Sequence, residues 1–238
     1  MAHRDPTPHL LRPGDTNLPA LCEREECFGL LVVDGWITLE LTVGRAHVAW
    51  LFGSGDLIRP WELNEPPLSA GSLWRAIDWA SVLPLNGGDY RRANPAAPVI
   101  ESAVESAAHT AKWLATKSLI LSAPTIEERL LLLSARYGER WGKVTPGGIV
   151  LELPLTHALA ARLCAASRPS ITCAMKSLLE RGFLIEASRH VIVLNRRPTP
   201  DPGFSCWQYY AAALGLEPQD SVVPRDHADI RVTAPMPT

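Results

Sequence analysis

Cysteine is scarce in this chain, five residues in 238, and the five at positions 22, 27, 164, 173 and 206 form no C-x-x-C pair. An odd, scattered set excludes a disulfide framework and a structural zinc knuckle, so reduced thiols are expected. Also missing is any run near the roughly 18 apolar residues that a membrane helix needs. The opening "MAHRDPTPHLLRPGD" lacks the long apolar core of a secretory signal, which points to a cytoplasmic location and no membrane partner. No Gly-rich phosphate loop, G-x-S-x-G elbow or H-E-x-x-H helix occurs, and no motif pairs a Cys with a His as nucleophile and base. The sequence therefore points away from an enzyme and calls for no metal or cofactor.

What is present is a globular composition, 47% hydrophobic and 20% charged, with length for two domains. The net charge of −2 is unevenly spread: residues 153–197 hold 7 basic and 2 acidic side chains, while residues 1–98 hold 8 basic and 12 acidic ones. A polyanion is attracted to the former stretch, not to the chain as a whole.

Residues 28–52 read as strands. "FGLLVVDGWITLEL" and "RAHVAWLF" are β-branched or aromatic runs split by turns at Asp34-Gly35 and Val43-Gly44. "GSGDLIRPWEL" interrupts them and "WRAIDWASVLPL" resumes them, a spacing that suggests an antiparallel barrel or jelly roll. After Pro95 and Pro98 the period changes. Ile100, Val104, Ala107, Ala111, Leu114, Ser118 and Leu121 recur at alternating steps of four and three, the seam of a coiled coil. Such a helix pairs with a second copy or packs on its own β domain; the first is preferred.

Beyond Pro124 lies a capping box, Thr125 with Glu128, ahead of "ERLLLLSARYG", with Gly138 as the expected stop. "GGIVLEL" is a short strand, Thr156 caps a helix to about Cys164, Ser167 caps the next, and "GFLIEASRHVIVL" closes as a hairpin. Helix, strand, helix, turn, helix, hairpin is the order of a winged helix-turn-helix. In the helix after Ser167, Ile171, Ala174, Met175, Leu178 and Leu179 share a face that should meet Leu159 and Leu163. Pro169, Thr172, Cys173 and Lys176 are left facing outward, and Arg168 and Ser170 sit at the N-terminal end, where side chains and unpaired amides meet phosphates or base edges. His157 at the start of the preceding helix, with Arg189 and His190 at the hairpin tip, adds candidate phosphate contacts.

The segment "LELPLTHALAARLCAASRPSITCAMKSLLERGFLIEASRHVIVL" resembles the DNA-binding domain of the cyclic-AMP receptor protein and fumarate-nitrate regulator (Crp/Fnr) family. The shared pattern is L-T-x-x-x-L-A-x-L, a turn, S-R-x-[ST]-[VI], a leucine pair and G-[FL]-[IL]. "DGWITLEL" and "LFGSGDLIRPWEL" are similar to that family's sensory β-roll, so the resemblance spans roughly residues 28–195. It implies an α+β chain with five parts. These are an arm over 1–27, a cyclic-nucleotide-binding-like roll over 28–98, a dimerisation helix over 99–123, a winged helix-turn-helix over 124–197, and a Pro-rich acidic tail over 198–238.

By resemblance the chain is a homodimeric transcription regulator. It places the 167–181 helix in the major groove of a near-palindromic duplex and works with RNA polymerase or another protein. Thr156 matches the cap of the first helix, Ser167 and Arg168 the contacting start of the second, and Ser170 its hydroxyl position.

Cys173 stands where many relatives carry a base-reading arginine, and Pro169 replaces a frequent glutamate. A bidentate arginine contact is worth about 1–3 kcal/mol of discrimination, so readout here is weaker or differently specified. These two residues also sustain the alternative of a protein-interaction adaptor that keeps the fold without specific readout. In the effector region, "NEPPLSAGSLWRAIDWA" places Ala70 or Gly71 near the arginine that relatives use to bind a cyclic phosphate. Without that cation the buried phosphate loses its counter-charge, at a cost of several kcal/mol, which argues against cyclic AMP unless Arg59 or Arg75 substitutes. The closely spaced cysteines of the iron-sulfur branch are absent. In the tail, "CWQYYAAALGL" is compatible with a short helix whose aromatics dock on the body or on a partner.

Overall fold

The structure is a computed structural model that describes residues 7–60, 71–85, 112–188, 190–196, 198 and 210. Its N-terminal part is a sandwich of two four-stranded antiparallel sheets. One has the order β1 (His9–Leu11), β8 (Ala80–Leu85), β3 (Gly29–Asp34), β6 (Leu57–Ile58). The other has the order β2 (Gly14–Thr16), β7 (Gly71–Ala76), β4 (Ile37–Val43), β5 (Ala46–Phe52). Alternation along the strands sends Leu30 and Val32, Ile37 and Leu39, Trp74 and Ala76, and Ala80 and Val82 into one shared core. The tight β3–β4 turn requires a glycine: Gly35 has φ 82°, and a Cβ there would stand 2.4 Å from the Trp79 carbonyl oxygen.

Residues 9–24, which the sequence places in a separate arm, belong to this sandwich. β1 pairs with β8 and β2 with β7, while α1 (Leu18–Arg24), capped by Asn17, buries Leu18, Leu21 and Cys22 in the same core. Three-residue strands carry too little period-2 signal to be read from sequence.

The C-terminal part begins with α2, helical over residues 112–122, and α3 (Ile126–Trp141). The capping box forms: the Glu128 amide donates to Thr125 Oγ1 at 3.2 Å and the Thr125 amide to Glu128 Oε2 at 3.3 Å. Gly138 does not stop α3, contrary to the sequence expectation. The helix runs on to Trp141 and Gly142 caps it. Gly138 serves a close approach instead, since a Cβ on it would lie 2.6 Å from Leu194 Cδ1.

Next come β9 (Lys143–Thr145), β10 (Gly148–Leu151), α4 (His157–Leu163), α5 (Arg168–Glu180), β11 (Leu184–Ala187) and β12 (Ile192–Leu194). β9 is an addition to the sequence reading; it pairs with β10, and the wing is a four-stranded antiparallel sheet of order β11-β12-β10-β9. Leu131 and Leu133 of α3, Leu159 and Leu163 of α4, Ile171 and Leu178 of α5, and Phe183 and Leu194 of the wing form one buried cluster. The architecture is α+β, an antiparallel β-roll joined to a winged helix-turn-helix.

The two parts share a face. On the outer side of the second sheet, Ala49 and Leu51 of β5 belong to the helical cluster and not to the roll core. Trp141 at the end of α3 stacks edge-on against Trp36 at 4.9 Å and donates its indole N–H to the Ser54 carbonyl at 3.0 Å. Arg140 pairs with Asp56 in the G-D turn, and Arg162 of α4 pairs with Glu40 of β4 at 3.2 Å.

Candidate nucleic-acid interface

The surface of α5 is built from both of its ends. Ser167 caps it, its Oγ accepting the Ser170 amide at 3.2 Å and lying 2.8 Å from Ser170 Oγ. Pro169 occupies the first turn, where a missing amide hydrogen costs nothing. At the far end Gly182 takes φ 72° and the Phe183 amide donates back to the Leu178 carbonyl at 3.0 Å. Between the caps, Ile171, Ala174, Met175 and Leu178 are buried. Arg168, Pro169, Thr172, Cys173 and Lys176 are exposed, as the helical spacing predicts.

The turn between α4 and α5 holds Ala165 at φ 49°, a left-handed conformation that costs an L-residue about 1–2 kcal/mol. Thr156 caps α4 by accepting the Leu159 amide at 3.2 Å, which sets His157 in the first turn beside α5. His157 Nδ1 lies 2.9 Å from Thr172 Oγ1, and Thr172 donates its hydroxyl to the Arg168 carbonyl at 3.1 Å. With that proton committed, Thr172 accepts from His157 Nδ1–H, which leaves Nε2 as the ring nitrogen available to a ligand. These bonds link His157 of α4 to Thr172 and Arg168 of α5 and Ser167 to Ser170, while Thr156 caps α4 and Cys173 and Lys176 are exposed along α5. Lys176 also lies 3.6 Å from Glu180 one turn on, an exposed pair that weakly competes for its charge. Arg189 lies outside the described residues; His190 is exposed beside its position, after β11.

Of the seam residues, Ile100, Val104, Ala107 and Ala111 lie outside the described residues. Leu114 and Ser118 are exposed and Leu121 is half-buried, and Leu119 beside them is 70% exposed. The opposite side of α2 carries Lys117 and Ile120, both buried against the body. Of the effector region, residues 64–70, Ala70 included, lie outside the described residues, while Gly71 is exposed at the start of β7. Arg75, one of the two cations that the sequence allowed as a substitute, lies on β7. It alternates with Trp74 and Ala76 and so points away from the roll core, where Asp15 holds it at 2.9 Å and Glu40 lies 4.0 Å away.

Two contacts go beyond the sequence reading, which left the tail aromatics to dock either on the body or on a partner and gave Lys117 no role. Tyr210 of the tail is fully buried, its ring edge-on to Phe183 at 5.8 Å and its hydroxyl donating to the Asn195 carbonyl at 2.9 Å, with the Phe183 carbonyl at 3.2 Å. Lys117 is 5% exposed and donates to the Ala49 carbonyl of β5. Neither contact has a periodicity that marks it, because each joins residues far apart in the chain.

No protein-family model and no curated protein matches the chain. Solved structures do. FixK2 from Bradyrhizobium japonicum superposes with a TM-score of 0.57 at 17% identity, over 80% of this chain and 93% of that one. The fold is that of the Crp/Fnr regulators. A Crp/Fnr-family transcriptional regulator from Thermus thermophilus, TTHA1359, gives 0.53 at 16% identity over 88% of this chain and all (100%) of its own. A mutant of CooA from Carboxydothermus hydrogenoformans gives 0.56 at 16% identity over 79% and 83%. The Crp/Fnr fold accounts for the order of roll, helix and winged helix-turn-helix seen here. Among the described residues no helix is long and apolar enough to cross a membrane.

Proposed function

We propose that the chain is a DNA-binding transcription regulator that acts as a homodimer, inserting α5 into successive major-groove half-sites. The observation that carries this reading is the outward face of α5. Arg168, Thr172, Cys173 and Lys176 stand clear of the core beside a capped helix N-terminus, with His157 fixed next to them. The exposed Leu114, Ser118 and Leu119 support pairing of α2 with a second copy, which would set the two recognition helices about one helical repeat apart, ~34 Å. The roll either senses an effector other than cyclic AMP or serves as scaffold, a reading that the outward, Asp15-held Arg75 supports. RNA polymerase or another protein is the expected further partner, and the function requires no chemistry.

The test is selection of genomic fragments by the purified chain, followed by anisotropy on the selected site. Enrichment of one near-palindromic sequence is expected, with R168A losing about 5- to 150-fold in affinity for it if Arg168 reads a base, the equivalent of 1–3 kcal/mol. K176A is expected to weaken all duplexes alike and to lower the salt slope by about one, as a phosphate contact does. Uniform weak binding with no enriched sequence would instead favour the adaptor reading, which the exposed Cys173 at the base-reading position supports.

A further inference from the structure

Lys117 sits where three parts of the molecule meet. It belongs to α2, donates to the Ala49 carbonyl of β5 at the roll edge, and lies 5.7 Å over the Trp50 ring. From the helix-turn-helix side it faces Cys164, the buried C-cap of α4. An ammonium surrounded by one carbonyl partner, a ring face and a thiol is a charge removed from water with, among the described residues, no carboxylate to balance it. That cost falls only on the docked arrangement. When α4 leaves β5, the amine regains water. We propose that Lys117 is a proton-operated latch: its neutral amine keeps the helix-turn-helix docked on the roll, and protonation releases it.

Burial draws the Lys117 amine down from 10.5 to about 7, with Cys164 opposing the shift. The other groups at the junction behave differently. Burial pushes the Cys164 thiol up to about 12, held back slightly by Lys117 and Arg129, so it stays neutral near pH 7. Tyr137 of α3 is likewise pushed upward by burial. Arg45, His47, Arg162 and Glu40 line an open groove of about 590 Å³ at the edge of the same contact, with Arg162 and Glu40 already paired. His47 is the one imidazole among them and lies 3.1 Å from Thr42 Oγ1, so H47Q is the variant that separates it from Lys117.

The sign follows from linkage. The docked state binds fewer protons than the released state between pH 7 and 10.5, so docking strengthens as pH rises through 7 and reaches its weak limit below about 6. From pH 6 to 8 the opening equilibrium should fall about tenfold.

The chain carries its own probe. Trypsin cuts after Arg162 and Lys176 but not between Arg168 and Pro169, so buried Cys164 and exposed Cys173 leave on one peptide, 163–176. Pulse alkylation of the intact protein, read by fragmenting that peptide, gives the Cys164 to Cys173 labelling ratio. In the wild type and in H47Q this ratio is expected to fall about tenfold from pH 6 to 8. In K117Q, which keeps a donor without a titrating charge, and in K117M it is expected to stay flat. A flat wild-type ratio, an unchanged slope in either Lys117 variant, or a slope lost in H47Q overturns the latch. The readout reports docking alone and is independent of whether the protein binds DNA.

Discussion

Replacing Tyr210 tests whether the segment after the wing is part of the folded domain. Its ring packs on Phe183, which directly follows the glycine that ends α5, and its hydroxyl bridges the carbonyls of Asn195 and Phe183. Y210A removes a buried aromatic ring and leaves a cavity, a change worth about 3–5 kcal/mol. Y210F keeps the ring and removes only the hydroxyl. The Phe183 carbonyl retains the Asn195 amide at 3.0 Å, so about 1 kcal/mol is expected. With a urea slope of about 2 kcal/mol per molar, the midpoint for the winged helix-turn-helix should drop by roughly 1.5–2.5 M in Y210A and about 0.5 M in Y210F. Far-UV circular dichroism of the full chain reads both. An unchanged midpoint in Y210A refutes the packing argument, and equal losses in the two variants would mean that the hydroxyl, not the ring, dominates.

T125A removes the hydroxyl that accepts the Glu128 amide and donates to its carboxylate, leaving only the backbone amide of residue 125 on Glu128, and is expected to cost about 1 kcal/mol in chemical unfolding; a loss under a few tenths would show that the cap contributes nothing. G138A gains about 1 kcal/mol of helix propensity but drives a methyl into Leu194 Cδ1, an overpacking penalty of about 1–3 kcal/mol. Its melting temperature should therefore fall, and a rise would contradict the close approach of α3 and β12. A165G relieves the left-handed strain of about 1–2 kcal/mol while adding about 0.5–1 kcal/mol of unfolded-chain entropy, so a small rise in melting temperature is expected. Burial holds the Tyr137 and Tyr210 phenols above their ordinary range. The unfolded chain therefore loses those protons first, and the stability they contribute, whole below pH ~10, declines as pH rises beyond it. Absorbance at ~295 nm should show these phenols ionising only together with alkaline unfolding, and a free titration in the folded state would contradict their burial.

The helix-turn-helix was legible in the chain because its determinants are local. Thr156 and Ser167 cap helices within three residues of themselves, Gly182 ends one, and the 3.6-residue spacing of Ile171, Met175 and Leu178 fixes which side faces out. The roll was legible from the same kind of signal, period-2 runs broken by Asp34-Gly35 and Val43-Gly44. Gly138 misled because glycine is used both to end helices and to let a neighbour approach, and only the position of Leu194 distinguishes the two. Pairing of β1 and β2 into the roll was out of reach for the opposite reason, since three residues hold almost no pattern.

By itself the sequence determined the longer strands of the roll, the two helices of the helix-turn-helix, which side of α5 is polar, and where basic charge gathers. Each of these depends on residues a few positions apart. Tertiary structure alone decided that the outer face of β5 is part of the helical core, that Arg75 turns away from the roll interior, that Tyr210 closes the wing, and that Lys117 loses its water. Those outcomes depend on desolvation and packing between segments dozens of residues apart, and burial of that kind exists only once the chain has folded.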